Sequence, residues 1–261
     1  MSLFSLENKT AIITGATHGL GMAMAEALGK AGAKLVITNI FSEDLEKAIV
    51  HYNSIGLEAS GYVFDVTDED VAAEKVAEII ENEGQIDILV NNAGIINRVP
   101  AEDMKVADFR RVIDVDLTGP FIMSQLVGRH MIANKSGKII NICSMMSELG
   151  RNTVSAYASA KGGLKMLTKN LATEWAKHNI QVNGIGPGYF ATSQTEPIRV
   201  EGHPFNDFII SRTPAARWGN PEDLGGTVVF LASQASDFVN GQVVYVDGGI
   251  LATIGKPANE D

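Results

Sequence analysis

The stretch Thr10-Ala11-Ile12-Ile13-Thr14-Gly15-Ala16-Thr17-His18-Gly19-Leu20-Gly21 decides how the rest of this 261-residue chain is read. An apolar run of strand length passes straight into a glycine-rich turn, and an Ala-rich helical segment over 21–31 follows. Glycine lets a backbone approach a pyrophosphate closely, and a helix N-terminus offers free N–H groups and a positive dipole. A Gly-x-x-x-Gly-x-Gly run by itself also fits a tight turn. Set between a first strand and a first helix, it predicts a dinucleotide-binding loop with Gly15, Thr17, His18, Gly19, Leu20 and Gly21 around the phosphates.

Outward from that loop the same alternation repeats. Runs at 10–14, 34–38, 60–64, 86–91, 138–143, 181–185 and 242–246 read as strands, most of them continuously apolar. Helical patterns fill 21–31, 43–54, 68–83, 108–134, 155–179 and 221–232. Uninterrupted apolar strands separated by helices predict a parallel sheet covered on both faces. The expected fold is therefore α/β: a Rossmann-like, doubly wound, seven-stranded sheet, with its ligand crevice beyond the carboxyl ends of the strands. No Pro- or Ser-rich linker, charge block or repeat divides the chain, so one domain is expected over 1–261. Residues 188–217 break the rhythm after a strand end, where a substrate lid belongs.

Composition narrows the partners. A net charge of −10 argues against nucleic acid or an anionic membrane surface, and means that an acidic substrate must be drawn in by local cations. No run approaches a membrane span, the N-terminal stretch Met1–Glu7 carries no basic flank or apolar core, and the single cysteine, Cys143, fits a reducing compartment. A cytoplasmic protein is expected. The five histidines show no ligand spacing, so no metal site is expected.

At the nucleotide end, the second strand runs into Thr38-Asn39-Ile40-Phe41. An acidic residue here binds a ribose 2′-hydroxyl, and a basic one welcomes a 2′-phosphate. Asn39 can bond the hydroxyl, and His18 is the only cation nearby, which favours NAD(H) while leaving NADP(H) open. Asp65, followed by Val66, can accept from an adenine amino group or serve as a turn residue.

The chemistry rests on Tyr157 and Lys161, with Ser144 upstream. Positions i and i+4 share a helix face. A free tyrosine titrates near pH ~10, and a neighbouring ammonium favours the phenolate. The pair alone is also an ordinary helix surface; the loop and Ser144 give it weight. Arg98 and Arg151 follow strand ends, where a guanidinium can grip a carboxylate through two parallel hydrogen bonds. Glu148 is a candidate for binding sugar hydroxyls.

Together these residues resemble the short-chain dehydrogenase/reductase family over nearly the whole chain. The likeness rests on Gly15, Gly19 and Gly21, on Asn91-Asn92-Ala93-Gly94, on Ser144 and Tyr157-x-x-x-Lys161, and on Pro187-Gly188 and Asp247-Gly248-Gly249, all in order. It implies that Asn92, Ala93, Gly94, Pro187 and Gly188 line the cofactor and that Thr192 contacts its carboxamide. It further implies that Lys161 holds the nicotinamide ribose and that the protein is a homo-oligomer, a tetramer. The stretches 91–98, 147–151, 186–192 and 212–219 are similar to those of the family's sugar-acid dehydrogenases, implying gluconate/5-ketogluconate as substrate. Another sugar acid of the 2-dehydro-3-deoxygluconate type, a 3-oxoacyl or steroid substrate, or a non-catalytic nucleotide-binding module are the alternatives. One position departs from the pattern. The family usually carries Asn where this chain has Asp116, and that Asn is thought to hold a water of the proton relay through its main-chain carbonyl. If only the carbonyl matters the change is mild; a carboxylate facing the site would oppose the phenolate and an anionic substrate.

Overall fold

The computed structural model describes residues 3–255; Met1 and Ser2 of the N-terminal stretch read above lie outside them. The chain alternates β1 (Thr10–Thr14), α1 (Gly19–Lys30), β2 (Lys34–Asn39), α2 (Ser42–Ser54), β3 (Ala59–Val63), α3 (Glu69–Glu83) and β4 (Ile88–Asn91). The second half adds α4 (Val106–Ile113), α5 (Gly119–Asn134), β5 (Gly137–Ile142), α6 (Ser155–Trp175), β6 (Ile180–Pro187), α7 (Pro204–Arg212), α8 (Gly225–Ala232) and β7 (Val243–Val246). The seven strands form one parallel sheet in the order β3-β2-β1-β4-β5-β6-β7.

Side-chain alternation explains why both faces are covered. Ile13, Ile37, Val90 and Ile140 pack against α1, α2 and α8, through Met24, Leu28, Leu45, Tyr52 and Val228. Their neighbours Ile12, Val36, Leu89 and Ile139 point the other way, against Val76, Met123, Val127 and Leu171 of α3, α5 and α6. Because successive side chains in a strand face opposite sides, strands apolar at every position need helices on both sides. The chain leaves β1 toward β2 and leaves β4 toward β5, so the order reverses between β1 and β4. That reversal opens the crevice at their carboxyl ends.

One expectation is corrected, and one segment gains detail. The segment 108–134 is not one helix: α4 and α5 are separated by a π turn, Asp114–Thr118, in which Gly119 N–H bonds the Asp114 carbonyl five residues back. The cause is Pro120. It has no N–H to give the carbonyl of Asp116, and its ring crowds that carbonyl in a regular helix. Residues 188–217 also hold more regular structure than their mixed polarity suggests, a 3₁₀ turn at Ser193–Ile198 and then α7. Helix α7 starts at Pro204, with the His203 ring accepting from Phe205 N–H at 3.2 Å. It is held down by Trp218, whose indole N–H donates to Asn206 at 2.8 Å.

Glycines at the crevice are set by close approach. A Cβ on Gly21 would stand 2.4 Å from Asn92 Nδ2 and 2.7 Å from the Gly15 carbonyl oxygen. Gly226 of α8 has nothing within 4 Å of that position. Gly21→Ala is therefore expected to lose about 1–3 kcal/mol in urea unfolding, whereas Gly226→Ala gains up to about 1 kcal/mol.

Candidate active site

The site is assembled where the ends of β1 and β4 are stitched together. Thr14 Oγ1 accepts the N–H groups of Asn92 and Ala93, both at 3.0 Å, and Asn92 Nδ2 donates to the carbonyls of Thr14 and Gly15 at 2.9 Å. Gly15 takes φ +64°, and a Cβ there would lie 3.0 Å from Ala93 Cα. These contacts fix the mouth of a cleft of about 840 Å³ that runs across the carboxyl ends of the strands.

One end of the cleft fits a dinucleotide. Gly15, His18, Gly19, Leu20 and Gly21 line it, and no side chain caps the first turn of α1, whose leading N–H groups are thus free for an anion. Gly19 has φ +57°, and a Cβ there would sit 3.8 Å from Thr192 Cγ2, filling the gap between loop and opposite wall. Asn92, Ala93, Gly94, Val66, Pro187, Gly188 and Thr192 line the same cleft. Thr17 stands behind the loop, its hydroxyl engaged by Asn39 Nδ2 and by His18 Nδ1.

The outer end is less open than expected. The Asn39 amide is occupied within the protein, donating to Thr17 and accepting Phe41 N–H at 3.0 Å. Asp65 accepts from both the N–H and the hydroxyl of Thr67, at 2.9 and 2.7 Å, and from Arg111 at 3.3 Å. Burial alone would raise its pKa, but Thr67 and Arg111 together hold it below the usual carboxylate range. Arg111 of α4 and Asp44 of α2 also line this end. Sequence reasoning missed both, because nothing local marks a helix residue as facing a cleft built by distant strands.

At the other end Ser144, Tyr157, Lys161 and Asp116 line the cleft together. Ser144 precedes a 3₁₀ turn, and its Oγ accepts Met146 N–H at 3.1 Å. Ser147, which the sequence did not single out, braces the group: its hydroxyl accepts Ser144 N–H at 3.3 Å and donates to the Lys161 carbonyl at 2.9 Å. Lys161 Nζ lies 5.5 Å from the centre of the Tyr157 ring. Tyr157 packs with Val112, Phe109 and Ile113 of α4.

The ammonium is nearly dry. It donates to the Ile142 carbonyl at 2.9 Å and stands 3.1 Å from Asp116 Oδ2, with side-chain exposures of 5% for the lysine and 0% for the aspartate. The 3.1 Å contact is an ion pair whose angles fall short of a hydrogen bond, so Oδ2 has no hydrogen-bond partner. Oδ1 accepts Ile95 N–H at 2.7 Å. Burial pushes the Asp116 pKa up, only partly opposed by Lys161 and Ile95. Burial would lower that of Lys161, but its surroundings, Asp116 foremost, outweigh burial and the net direction is upward. The direction that governs is the lysine's: the two groups stand 3.1 Å apart, and Ile95 N–H at 2.7 Å also favours the carboxylate form of Asp116. The Cys143 thiol, buried beside them, is pushed up to about 11 and stays neutral.

Arg98 and Arg151 sit on the rim of the cleft. Arg98 is exposed. Arg151 is held by the 188–217 segment: it donates to the Tyr189 hydroxyl at 3.2 Å, and its guanidinium carbon lies 4.6 Å from the centre of the Phe205 ring on α7. Glu148 does not take its expected place. It pairs with Lys165 and accepts the Tyr245 hydroxyl at 2.6 Å, both through Oε1, and does not line the cleft.

Comparison with known proteins extends these observations. The model of a family described as Enoyl-(Acyl carrier protein) reductase matches residues 15–251. The 2-dehydro-3-deoxy-D-gluconate 5-dehydrogenase of Formosa agariphila is 64% identical, over 100% of this chain and 99% of that protein. The 5-keto-D-gluconate 5-reductase of Escherichia coli K12 is 48% identical, over 97% and 99%. A crystal structure of a gluconate 5-dehydrogenase from Burkholderia cenocepacia in complex with NADP and tartrate superposes with a TM-score of 0.92. It is 43% identical and covers 96% of this chain and 98% of that one. With its glycine loop, its stitched β1 and β4 ends and its Ser144, Tyr157 and Lys161 gathered in one cleft, this chain belongs to the short-chain dehydrogenase/reductase family.

Proposed function

We propose that the protein interconverts a hydroxyl and a carbonyl on a sugar acid, using Ser144, Tyr157 and Lys161 beside a nicotinamide dinucleotide. Gluconate/5-ketogluconate is the favoured pair. The observation that carries this is the single cleft, with a Ser/Tyr/Lys group on its floor and Arg98 and Arg151 on its rim. The strongly acidic chain otherwise offers an anionic substrate little attraction. A second reading, 2-dehydro-3-deoxygluconate, is supported by the 64% identity to the F. agariphila enzyme. Both names place the reacting carbon at C5, roughly 5 Å along the chain from the carboxylate, so one rim cation can serve either acid.

When bound, the dinucleotide supplies or accepts the hydride. Ser144 donates a hydrogen bond to the substrate oxygen, and Tyr157 gives that oxygen its proton in reduction and removes it in oxidation. Lys161 has three N–H donors, of which one is given to the Ile142 carbonyl, while Asp116 pairs with the charge without accepting a hydrogen bond. The others are left for the cofactor ribose and the phenol. The backbone around Gly15, Gly19 and Gly21 holds the pyrophosphate. NAD(H) is favoured because Asn39 and Phe41 bring no positive charge to the ribose end, and Arg111, the cation there, is already paired with Asp65. NADP(H) is the second reading, supported by NADP in the B. cenocepacia structure. We read the chain as a single domain in which 188–217 covers the substrate, working in the cytoplasm as a homo-oligomer, a tetramer by family resemblance. Among the described residues no helix is long and apolar enough to cross a membrane.

The direct assay follows absorbance of the reduced nicotinamide with 5-ketogluconate and 2-dehydro-3-deoxygluconate and their C5 partners, each with both dinucleotides. Turnover of neither acid would end the sugar-acid reading. Tyr157→Phe is expected to bind dinucleotide nearly as before, while kcat falls by about 10²–10⁴; normal turnover would remove Tyr157 from the chemistry. Arg98→Ala and Arg151→Ala are expected to raise the KM for the acid at least tenfold with little change in dinucleotide affinity. An unchanged KM in both variants would rule out their holding the carboxylate.

A further inference from the structure

We propose that Asp116 is a positioning residue whose ionised side chain, locked against Lys161, sets the pH range in which Tyr157 exchanges its proton. The inference rests on the reading of Tyr157 as the proton-transfer group. It goes beyond that reading by assigning the carboxylate itself a role, distinct from that of the main-chain carbonyl at this position.

The surroundings of Asp116 are built for a carboxylate. Pro120 breaks the helix at this turn and forces the π geometry that turns the residue inward. Gly94 makes the room: a Cβ there would lie 3.0 Å from Asp116 Oδ2. Ile95 N–H anchors Oδ1 at 2.7 Å, which leaves Oδ2 aimed at Lys161 Nζ, 3.1 Å away. The side chain has 0% exposure, so water does not screen the pair.

Tyr157 therefore faces a cation whose charge is largely matched by an adjacent anion. A bare ammonium near a phenol favours the phenolate; a paired one presents a dipole, whose field falls off faster. The other titratable groups around Lys161 do not supply that negative charge. Cys143, at the end of β5, is a neutral buried thiol. Lys165, one turn along α6, is paired with Glu148 outside the cleft. Arg98, Arg151 and His18 line the cleft and carry no negative charge, Arg111 is matched by Asp65, and Asp44 lines the opposite end of the cleft. Asp114, in the same turn as Asp116, is exposed, and the α4 side chains against Tyr157 are apolar. Among the described residues Asp116 is the carboxylate in contact with Lys161.

The test is the pH dependence of kcat/KM in the oxidation direction for Asp116→Asn, which keeps an acceptor for Ile95 N–H and removes the charge. The acid limb is expected to move down by about one pH unit, so that the rate at a fixed pH on that limb rises roughly tenfold. Asp114→Asn, which removes a charge from the same turn without touching Lys161, is expected to leave the limb in place. An acid limb that stays put in Asp116→Asn, or moves up, overturns the proposal. Asp116→Ser provides a second neutral variant should the first not fold; if neither folds, the carboxylate is structural and the proposal fails. Normal turnover in Tyr157→Phe would instead sink the proton-transfer reading, whatever Asp116→Asn does. An inactive Tyr157→Phe with an unmoved limb in Asp116→Asn removes only the role of Asp116.

Discussion

An ammonium buried against the floor of a cleft governs this structure. Lys161 sits almost out of water, and an unpaired charge in that position costs several kcal/mol. A carbonyl and a carboxylate offset the cost, and each makes a demand on the fold. The Ile142 carbonyl lies at the carboxyl end of β5, so the strand must stop where α6 can reach it. The Asp116 carboxylate must come from the far side, out of a helix that would otherwise turn it elsewhere.

The remaining supports are polar and buried as well. Asn91 donates to Asn141, Asn141 to Thr168, and Thr168 to the Leu164 carbonyl, a chain of hydrogen bonds linking β4, β5 and α6 beneath the site. Ser147 ties the loop of Ser144 to the carbonyl of Lys161. A buried chain of this kind fixes one geometry rather than several. The two ends of the cleft thereby differ in character. The glycine loop is placed by backbone close approach, whereas the Ser/Tyr/Lys end is placed by side-chain hydrogen bonds in a dry interior.

How much of this is legible in the residues follows from the range of the forces involved. Strand positions stand within two residues of their expected bounds, because continuous apolar runs and glycine turns are local signals. The spacing of Tyr157 and Lys161 gives their shared helix face directly. Three features depend on partners far along the chain and are not written locally. Glu148 is claimed by Tyr245, 97 residues away. Arg111 of α4 meets Asp65 from 46 residues along the chain. Helix α7 is stabilised by an aromatic group, Tyr189, Phe205 and Trp218, whose members are scattered over a stretch of mixed polarity.

Pro120 has one more effect. A π turn amounts to one extra residue in an α-helix, and each residue advances a helix by about 100°. The rod made by α4 and α5 therefore changes phase at Asp114–Thr118. Ahead of the break, Val112 turns toward Tyr157 and the catalytic end of α6; after it, Met123, Val127 and Met131 turn toward the sheet. By withholding a single hydrogen atom, one imino acid lets a continuous stretch of chain serve the reaction centre with one half and the hydrophobic interior with the other.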